Sequence, residues 1–403
     1  MIKLYLNNNY LFPNSILNET KAFCLIANVI HTSLSYRGGA EALAIATIES
    51  LADLGFDIEL TVVEKPHIEK LGRTYGDIAT SILKNISAIH LLKSFLTNKT
   101  QKYDISINTA GDILPYFNTG FNRKKAITYC HFPLATFRIE AKDPVYIKFL
   151  RKIHSSINGS GCYNKNAILK IAKITYTKMI RSSTVTTNSE YSRHAIRKTF
   201  DIDSIVLSPP VNVDIFRNSV LSNSSGNRKN MILVISRLHP SKKVENAIIL
   251  ARLLKQNKIK VRTEIVGNLS RNEIGYCTYL KDMVQKYKLE KYVTIHTNVS
   301  FTKLVDLMRQ CKLYFNQCPG EPFGISTVEA MSAGLIPIVP DIGGQTEFVP
   351  SKFHFHTFGE AMQIILSALD ADDSQRVRLS NSVGKFSTNR YIKNLQQIVK
   401  KMV

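Results

Sequence analysis

The sequence has no stretch approaching 18 uninterrupted apolar residues, so no plain membrane-spanning helix is written into it. Its six cysteines, Cys24, Cys130, Cys162, Cys277, Cys311 and Cys318, show no Cys-x-x-Cys spacing and join no His/Cys cluster. That speaks against a zinc site and fits thiols that stay reduced in a cytosol, acting as small buried hydrophobes. Acidic residues are scarce: 31 Asp and Glu face 53 Lys and Arg, a formal net charge of +22. Residues 1–21, with the run Asn7-Asn8-Asn9, read as an extension before the first strand; they lack the basic start and continuous apolar centre of a signal peptide.

What is present is a globular composition, 44% apolar and 21% charged over 403 residues, enough for two cores of ordinary size. The positive charge is concentrated. Residues 121–200 hold 16 Lys and Arg against only Glu140, Asp143 and Glu190. A field this local points to an anionic partner, whether a phosphate-bearing substrate, a membrane surface or nucleic acid; a generally basic proteome would spread it evenly.

Apolar runs alternate with helical patterns almost throughout. Strands are predicted near residues 23–30, 58–63, 105–108, 126–129 and 184–187, then near 231–235, 262–266, 293–296, 313–315 and 336–339. Helices are predicted over 40–54 and 78–96 and around residues 250, 284, 306, 331 and 364. Strand–helix alternation of this kind means an α/β protein with parallel sheets covered on both faces. Pro209-Pro210 and the polar run from Ser222 to Asn230 mark a boundary. The expectation is two doubly wound, Rossmann-like domains, residues 1–210 and 211–385, with residues 386–403 as a last helix returning to the first domain on an apolar stripe of Ile392, Leu395 and Ile398. Ligands then bind beyond the carboxyl ends of the strands, in the cleft between the domains.

The strongest motif runs from Glu321-Pro322-Phe323-Gly324-Ile325-Ser326 to Glu329 and leads from a strand into a helix. Two carboxylates eight positions apart span the joint, Gly324 lets a ligand approach the backbone, and the helix start offers N–H groups to an anion. Ser326-x-x-Glu329 also reads as a capping box that merely closes the helix. Ser236-Arg237-Leu238-His239-Pro240-Ser241-Lys242-Lys243 follows the first strand of the second half; its cations either neutralise a diphosphate or lie on a solvated loop. Gly343-Gly344-Gln345-Thr346-Glu347 and Gly38-Gly39-Ala40-Glu41 are glycine loops after strands, each readable as a ligand loop or a tight turn. Tyr129-Cys130-His131-Phe132-Pro133 brings a histidine to a strand end.

Together with Thr187-Asn188-Ser189-Glu190-Tyr191-Ser192 and Pro209-Pro210-Val211-Asn212-Val213-Asp214, these segments resemble the GT-B retaining glycosyltransferases of family 4 over about residues 22–400. The Tyr-Cys-His-Phe-Pro string further resembles mannosyltransferases that extend lipid-linked oligosaccharides. The resemblance implies that Arg237 and Lys242 hold a donor diphosphate, with Lys243 able to exchange roles with Lys242. It implies that Glu329 bonds the donor ribose, that Glu321 lies on the sugar side, and that the backbone of Phe323, Gly324, Ile325 and Ser326 contacts the sugar. Gly38 and Gly39 then form the loop under the phosphates, and His131 sits near the transferred sugar. The turn Gly267-Asn268-Leu269 departs from the pattern, where relatives often carry a second glycine.

No Asp-x-Asp pair sits at a credible position, so transfer is expected to need no metal and no cofactor. The expected donor is a nucleoside-diphosphate sugar, best GDP-mannose, and the expected acceptor is a lipid-phosphate-linked glycan or a polysaccharide. Val145, Tyr146, Phe149, Leu150 and Ile153 read as one helical stripe flanked by Lys148, Arg151 and Lys152, with Lys170, Lys173, Lys178 and Arg181 beyond. Such a surface suits an anionic bilayer and places the protein in the cytoplasm, peripheral on the inner membrane face; the same stripe also reads as a packing helix with a wet basic face. A UDP-sugar with a soluble acceptor is the alternative, and a non-catalytic basic scaffold binding membrane or nucleic acid is the alternative of another class. Nucleic acid is not expected, since the aromatic–basic platforms of common RNA modules are missing.

Overall fold

The computed structural model of the chain describes residues 25–34, 38–62, 87–90, 103–111, 125–158, 164–221 and 228–403. Two parallel sheets organise them. The first holds β1 (Ile26–His31), β2 (Asp57–Val62), β3 (Ser87–His90), β4 (Ile105–Asn108), β5 (Ala126–Tyr129), β6 (Thr184–Thr187) and β7 (Ile205–Val206), in the order β3-β2-β1-β4-β5-β6-β7. The second holds β8 (Lys229–Ile235), β9 (Arg262–Gly267), β10 (Val293–Thr297), β11 (Cys311–Phe315), β12 (Ile336–Pro340) and β13 (His354–Phe355), in the order β10-β9-β8-β11-β12-β13. All described pairings are parallel. Strands buried on both faces need continuous apolar runs, and β12, Ile-Pro-Ile-Val-Pro, is buried along its whole length.

The helices are α1 (Gly39–Ala52), α2 (Leu134–Glu140), α3 (Pro144–Asn158), α4 (Lys165–Arg181), α5 (Glu190–Phe200) and α6 (Val213–Leu221). In the second half they are α7 (Glu245–Gln256), α8 (Ile274–Lys286), α9 (Phe301–Gln310), α10 (Ile325–Ser332), α11 (Phe358–Leu369) and α12 (Asp373–Ser382), followed by α13 (Thr388–Lys400). The doubly wound α/β architecture read from the sequence is therefore the one observed. Each sheet reverses its order once, between β1 and β4 and between β8 and β11. Loops leaving the two strands of such a reversal diverge and leave a crevice.

The predicted helix over 78–96 is corrected: residues 87–90 form β3, paired to β2 in the register Glu59 with Ser87. Backbone pairing at the open edge of β2 overrides the local helical pattern there. The remainder of that segment lies outside the described residues, as do the extension 1–21, Cys24, Cys162 and positions 222–227 of the polar run. The two-residue strands β7 and β13 are too short to leave a periodic signal.

Helix α1 buries Leu43, Ala44, Ile48 and Leu51 against β1 and β2, and α13 completes the same core with Tyr391, Leu395 and Val399. Each large side chain buried in this way contributes about 2 kcal/mol. Ile392 and Ile398 are partly buried beside them, so the stripe of α13 stays centred on Leu395 as predicted while Tyr391 and Val399 form its deepest flanks. The Thr47 hydroxyl lies 2.8 Å from the Tyr391 hydroxyl. The chain crosses between domains where Val211 bridges Ser387: Val211 N donates to the Phe386 carbonyl at 3.0 Å, and Thr388 N donates to that of Val211 at 3.2 Å.

Candidate active site

The segments after β8 and β11 leave adjacent strands at the sheet reversal, which puts the cationic loop beside the glutamate loop. Leu238 anchors the first: it is fully buried, and its N–H donates to the Asn268 carbonyl at 3.0 Å. A Cβ on Gly267 would stand 2.6 Å from Leu238 Cδ2, so the glycine makes room for the anchor. Buried Gln317, just past β11, donates its amide to the Lys242 carbonyl at 2.9 Å and fixes where the lysine starts. Lys242 Nζ then reaches Glu321 Oε2 at 2.6 Å, with the side chains 24% and 19% exposed. Lys243 adopts a left-handed backbone, φ 50°, and its side chain is exposed away from the cleft lining. Of the two lysines, Lys242 is the one that faces the cleft.

Gly324, φ +97°, serves as the N-cap of α10, and no side chain caps that helix start. The Ser326-x-x-Glu329 capping box is thus ruled out: Ser326 sits inside the helix, 2.8 Å from the Tyr314 hydroxyl, and Glu329 lines the cleft. An uncapped helix start turned toward a cavity is suited to an anion.

In the first domain, β1, β4, β5 and β6 lie side by side, so the residues beyond their carboxyl ends form one row. His31 ends β1, Thr109 follows β4, His131 follows β5 and Asn188 follows β6. The Thr109 hydroxyl donates to the Ile30 carbonyl at 3.0 Å, so it accepts from His31 Nδ1, also at 3.0 Å. The ring proton of His31 is therefore on Nδ1. His131 Nε2–H donates to the Thr109 carbonyl at 3.1 Å. Burial holds both rings neutral. His31 is pushed down to about 3 by burial first and by the neighbouring His131 second, while His131 is lowered by burial. His31 was not anticipated; its place at the end of a strand adjoining the sheet reversal, equivalent to that of His131, was the available signal.

The lowered His31 has a consequence for stability. The unfolded chain takes up a proton near pH 6.5 and the folded one does not, so stability is full above that pH and falls as pH drops toward 3. At pH 5 the loss from this residue is about 2 kcal/mol. Urea unfolding at pH 7.5 and pH 5 should show a shallower pH dependence in His31→Asn than in wild type; identical slopes would contradict the assignment.

The domains meet tightly over this site. A Cβ on Gly39 would lie 2.3 Å from Ile325 Cδ1, so the start of α1 in the first domain touches the start of α10 in the second. Glu41 stands close enough to Arg237 to feel its charge, but burial is the larger influence and raises the carboxyl above its ordinary range. The cavity between the domains measures about 1740 Å³. That exceeds the roughly 300–1,000 Å³ of a one-ligand site and leaves room for two substrates. His131, Arg237, Lys242, Glu321 and Glu329 line it, together with Gly38, Gly39 and the segment Phe323–Ser326.

The basic side chains of the first domain, Lys148, Arg151, Lys170, Lys173, Lys178 and Arg181, are exposed and do not line the cleft. The predicted stripe of α3 is split: Tyr146 and Leu150 are buried, Phe149 is half-buried in the cleft lining, and Val145 is 74% exposed. Ile147, absent from the predicted stripe, is buried instead, which rotates the apolar face toward the core. Lys148 and Arg151 are exposed; the side chains of Lys152 and Ile153 lie outside the described residues. Exposed Leu134 and Phe137 on α2 and Ile174 on α4 belong to the same trio of helices. The three carboxylates of this region each meet one cation, Glu140 with Lys173, Asp143 with Arg138 and Glu190 with Arg193, so most of the basic residues exceed the local acids. Among the described residues no helix is long and apolar enough to cross a membrane.

Comparison with known proteins agrees with this layout. Residues 218–364 match the family model of glycosyl transferases group 1. The chain is 22% identical over 305 residues to a GDP-Man:Man(3)GlcNAc(2)-PP-Dol alpha-1,2-mannosyltransferase of Dictyostelium discoideum, covering 68% of this chain and 59% of that protein. It is 24% identical over 405 residues to the alpha-1,3/1,6-mannosyltransferase ALG2 of Mus musculus, covering 91% and 94%. Against the Dictyostelium protein and two further mannosyltransferases it spans 59%, 61% and 66% of the relative's length. Among solved structures, Anabaena Alr3699/HepE in complex with UDP and glucose superposes with a TM-score of 0.61 at 15% identity, covering 94% of this chain and 98% of that one. The chain thus has the GT-B fold of glycosyltransferases, and the match to the glycosyl transferases of group 1 falls on residues 218–364 of its second domain.

Proposed function

We propose that the protein is a retaining glycosyltransferase. It moves a hexose, with mannose from GDP-mannose as the best reading, to a lipid-linked or polysaccharide acceptor at the cytoplasmic face of a membrane. The observation that carries the reading is the convergence of Arg237, the Lys242–Glu321 pair, Glu329 and the uncapped start of α10 on one cleft shared with His131. As the bond from the anomeric carbon to the diphosphate oxygen breaks, the sugar takes on oxocarbenium character and negative charge grows on the leaving group. Arg237, Lys242 and the α10 dipole stabilise that charge where it develops. These cations replace a divalent ion, so the reaction needs no metal. The acceptor oxygen attacks on the same face and its proton passes to the departing phosphate. Glu329 holds the ribose, and Glu321, the Phe323–Ser326 backbone and His131 position the sugar. Gly38 and Gly39 let the phosphates sit close to the backbone.

A second reading, a UDP-sugar with a soluble acceptor, draws on the likeness to the UDP-bound Anabaena structure. One experiment separates them: thermal unfolding with GDP-mannose, UDP-glucose and other nucleotide sugars, each with and without EDTA, followed by transfer with the donor that binds. A donor at 100 times its Kd stabilises by about 2.7 kcal/mol. GDP-mannose should raise the midpoint most, and EDTA should change neither binding nor turnover. A larger shift with a UDP-sugar would favour the second reading. Activity lost in EDTA and restored by magnesium or manganese would refute the metal-free mechanism, and no shift with any donor would leave a non-catalytic scaffold.

A further inference from the structure

We propose that Glu347 is a positioning residue: from the second domain it caps helix α5 of the first and so holds His131 in register with the Glu321–Pro322 segment. The inference rests on reading the cleft as a transferase site. A helix leaves its first N–H groups without intrahelical partners, and they are normally capped from the residues just before them. In α5 only the third is served that way, Ser192 N donating to Ser189 Oγ at 3.1 Å. The first two are served from the other domain: Glu190 N donates to Glu347 Oε2 at 3.1 Å and Tyr191 N to Glu347 Oε1 at 2.7 Å. A carboxylate astride the positive end of a helix is also favoured by the helix dipole.

The same helix start holds both halves of the site. Toward the first domain, Asn188 Nδ2 and Ser192 Oγ donate to the His131 carbonyl at 2.8 and 3.1 Å. Toward the second, Ser189 Oγ donates to the Pro322 carbonyl at 2.6 Å. Glu347 is itself tied to that segment, because Gly344 N donates to the Glu321 carbonyl at 2.8 Å at the base of its turn. The fit leaves no slack: a Cβ on Gly344 would stand 2.1 Å from the Pro322 oxygen and 2.9 Å from Ser189 Cβ. Gly343-Gly344-x-x-Glu347 and Asn188-Ser189-Glu190-Tyr191-Ser192, two motifs that contact no substrate in the proposed mechanism, are therefore the two sides of one junction. The acid that closes α5 is available only while the domains keep this arrangement. That makes the junction the element that sets His131 against Glu321.

The test is a double-mutant cycle on the full chain, with donor binding and unfolding midpoint measured alongside transfer. Glu347→Ala should lower kcat about tenfold while donor Kd stays within about twofold, because the second-domain binding groups are untouched. In a His131→Ala background the same change should cost less than about twofold, since a residue acting through His131 has nothing left to position. Glu347→Gln, which keeps one acceptor oxygen but sets an amide NH2 against the second backbone N–H, should recover only part of the rate. Gly344→Ala, which wedges the junction open without removing the cap, should reproduce the Glu347→Ala pattern and carries the test if Glu347→Ala does not fold. Equal losses with and without His131, or an unchanged kcat in both junction variants, would overturn the proposal. Failure of the wild type to transfer with any donor it binds would overturn the transferase reading beneath it.

Discussion

Arg237→Ala is expected to slow transfer at saturating donor about 10²–10³-fold, the loss seen when one donor aimed at developing charge is removed from a site. Arg237 stands on the loop that leaves β8, exposed toward the cleft and opposite Glu41, while Leu238 beside it is fully buried and fixes the backbone. Truncating the guanidinium thus removes charge without disturbing the anchor. The charge it meets is greatest in the transition state, so the loss should fall on kcat more than on donor Kd. Glu329→Ala should show the opposite split. A ribose contact is the same in ground state and transition state, so donor affinity should weaken by about tenfold with kcat nearly preserved. Single-turnover rates with saturating donor separate the two cases. Wild-type turnover in Arg237→Ala would remove it from the chemistry and leave Lys242 as the cation that acts.

The two cases also show what kind of information the sequence holds. That Arg237, Lys242 and Glu321 line the cleft was legible because each follows a strand end on one edge of a reversing parallel sheet, and Glu329 lies one turn into the helix that begins there. The 2.6 Å contact between Lys242 and Glu321 was not, since it joins residues 79 apart through the buried amide of Gln317. His31 was missed although it obeys the same strand-end rule as His131, because no neighbouring string drew attention to it. The helix expected over 78–96 failed for the reverse reason: local periodicity was read where an open strand edge decides the conformation. Glu347 looked like part of a turn, and its partners, two backbone N–H groups of the other domain, leave no trace in any side-chain pattern. What the sequence conceals here is contact between distant loops, whereas the strands and helices that carry those loops were largely readable.

Replacing Lys148, Arg151 and Lys152 together with glutamine is expected to release the protein from vesicles containing anionic lipid. Each Lys or Arg near such a surface contributes about 1 kcal/mol, so three amount to about a 100-fold loss of partitioning at moderate salt. Raising the salt should shrink the wild-type binding toward that of the variant, since the attraction fades within a Debye length. Lys148 and Arg151 are exposed on α3, whereas Tyr146, Ile147 and Leu150 are its buried residues, so the core should survive the substitutions. Val145, Phe137 and Ile174, 74%, 50% and 58% exposed on α3, α2 and α4, add apolar surface of the kind that enters an interfacial layer. Transfer to a lipid-linked acceptor should fall with vesicle binding, whereas donor hydrolysis in water should not, because the cleft groups lie on the second domain's loops and the strand ends of the first. Equal losses in both assays would mean that the substitutions damage the domain. Undiminished vesicle binding would make the outer face of α3 an ordinary solvated surface, and a soluble acceptor would then become the better reading of the cleft.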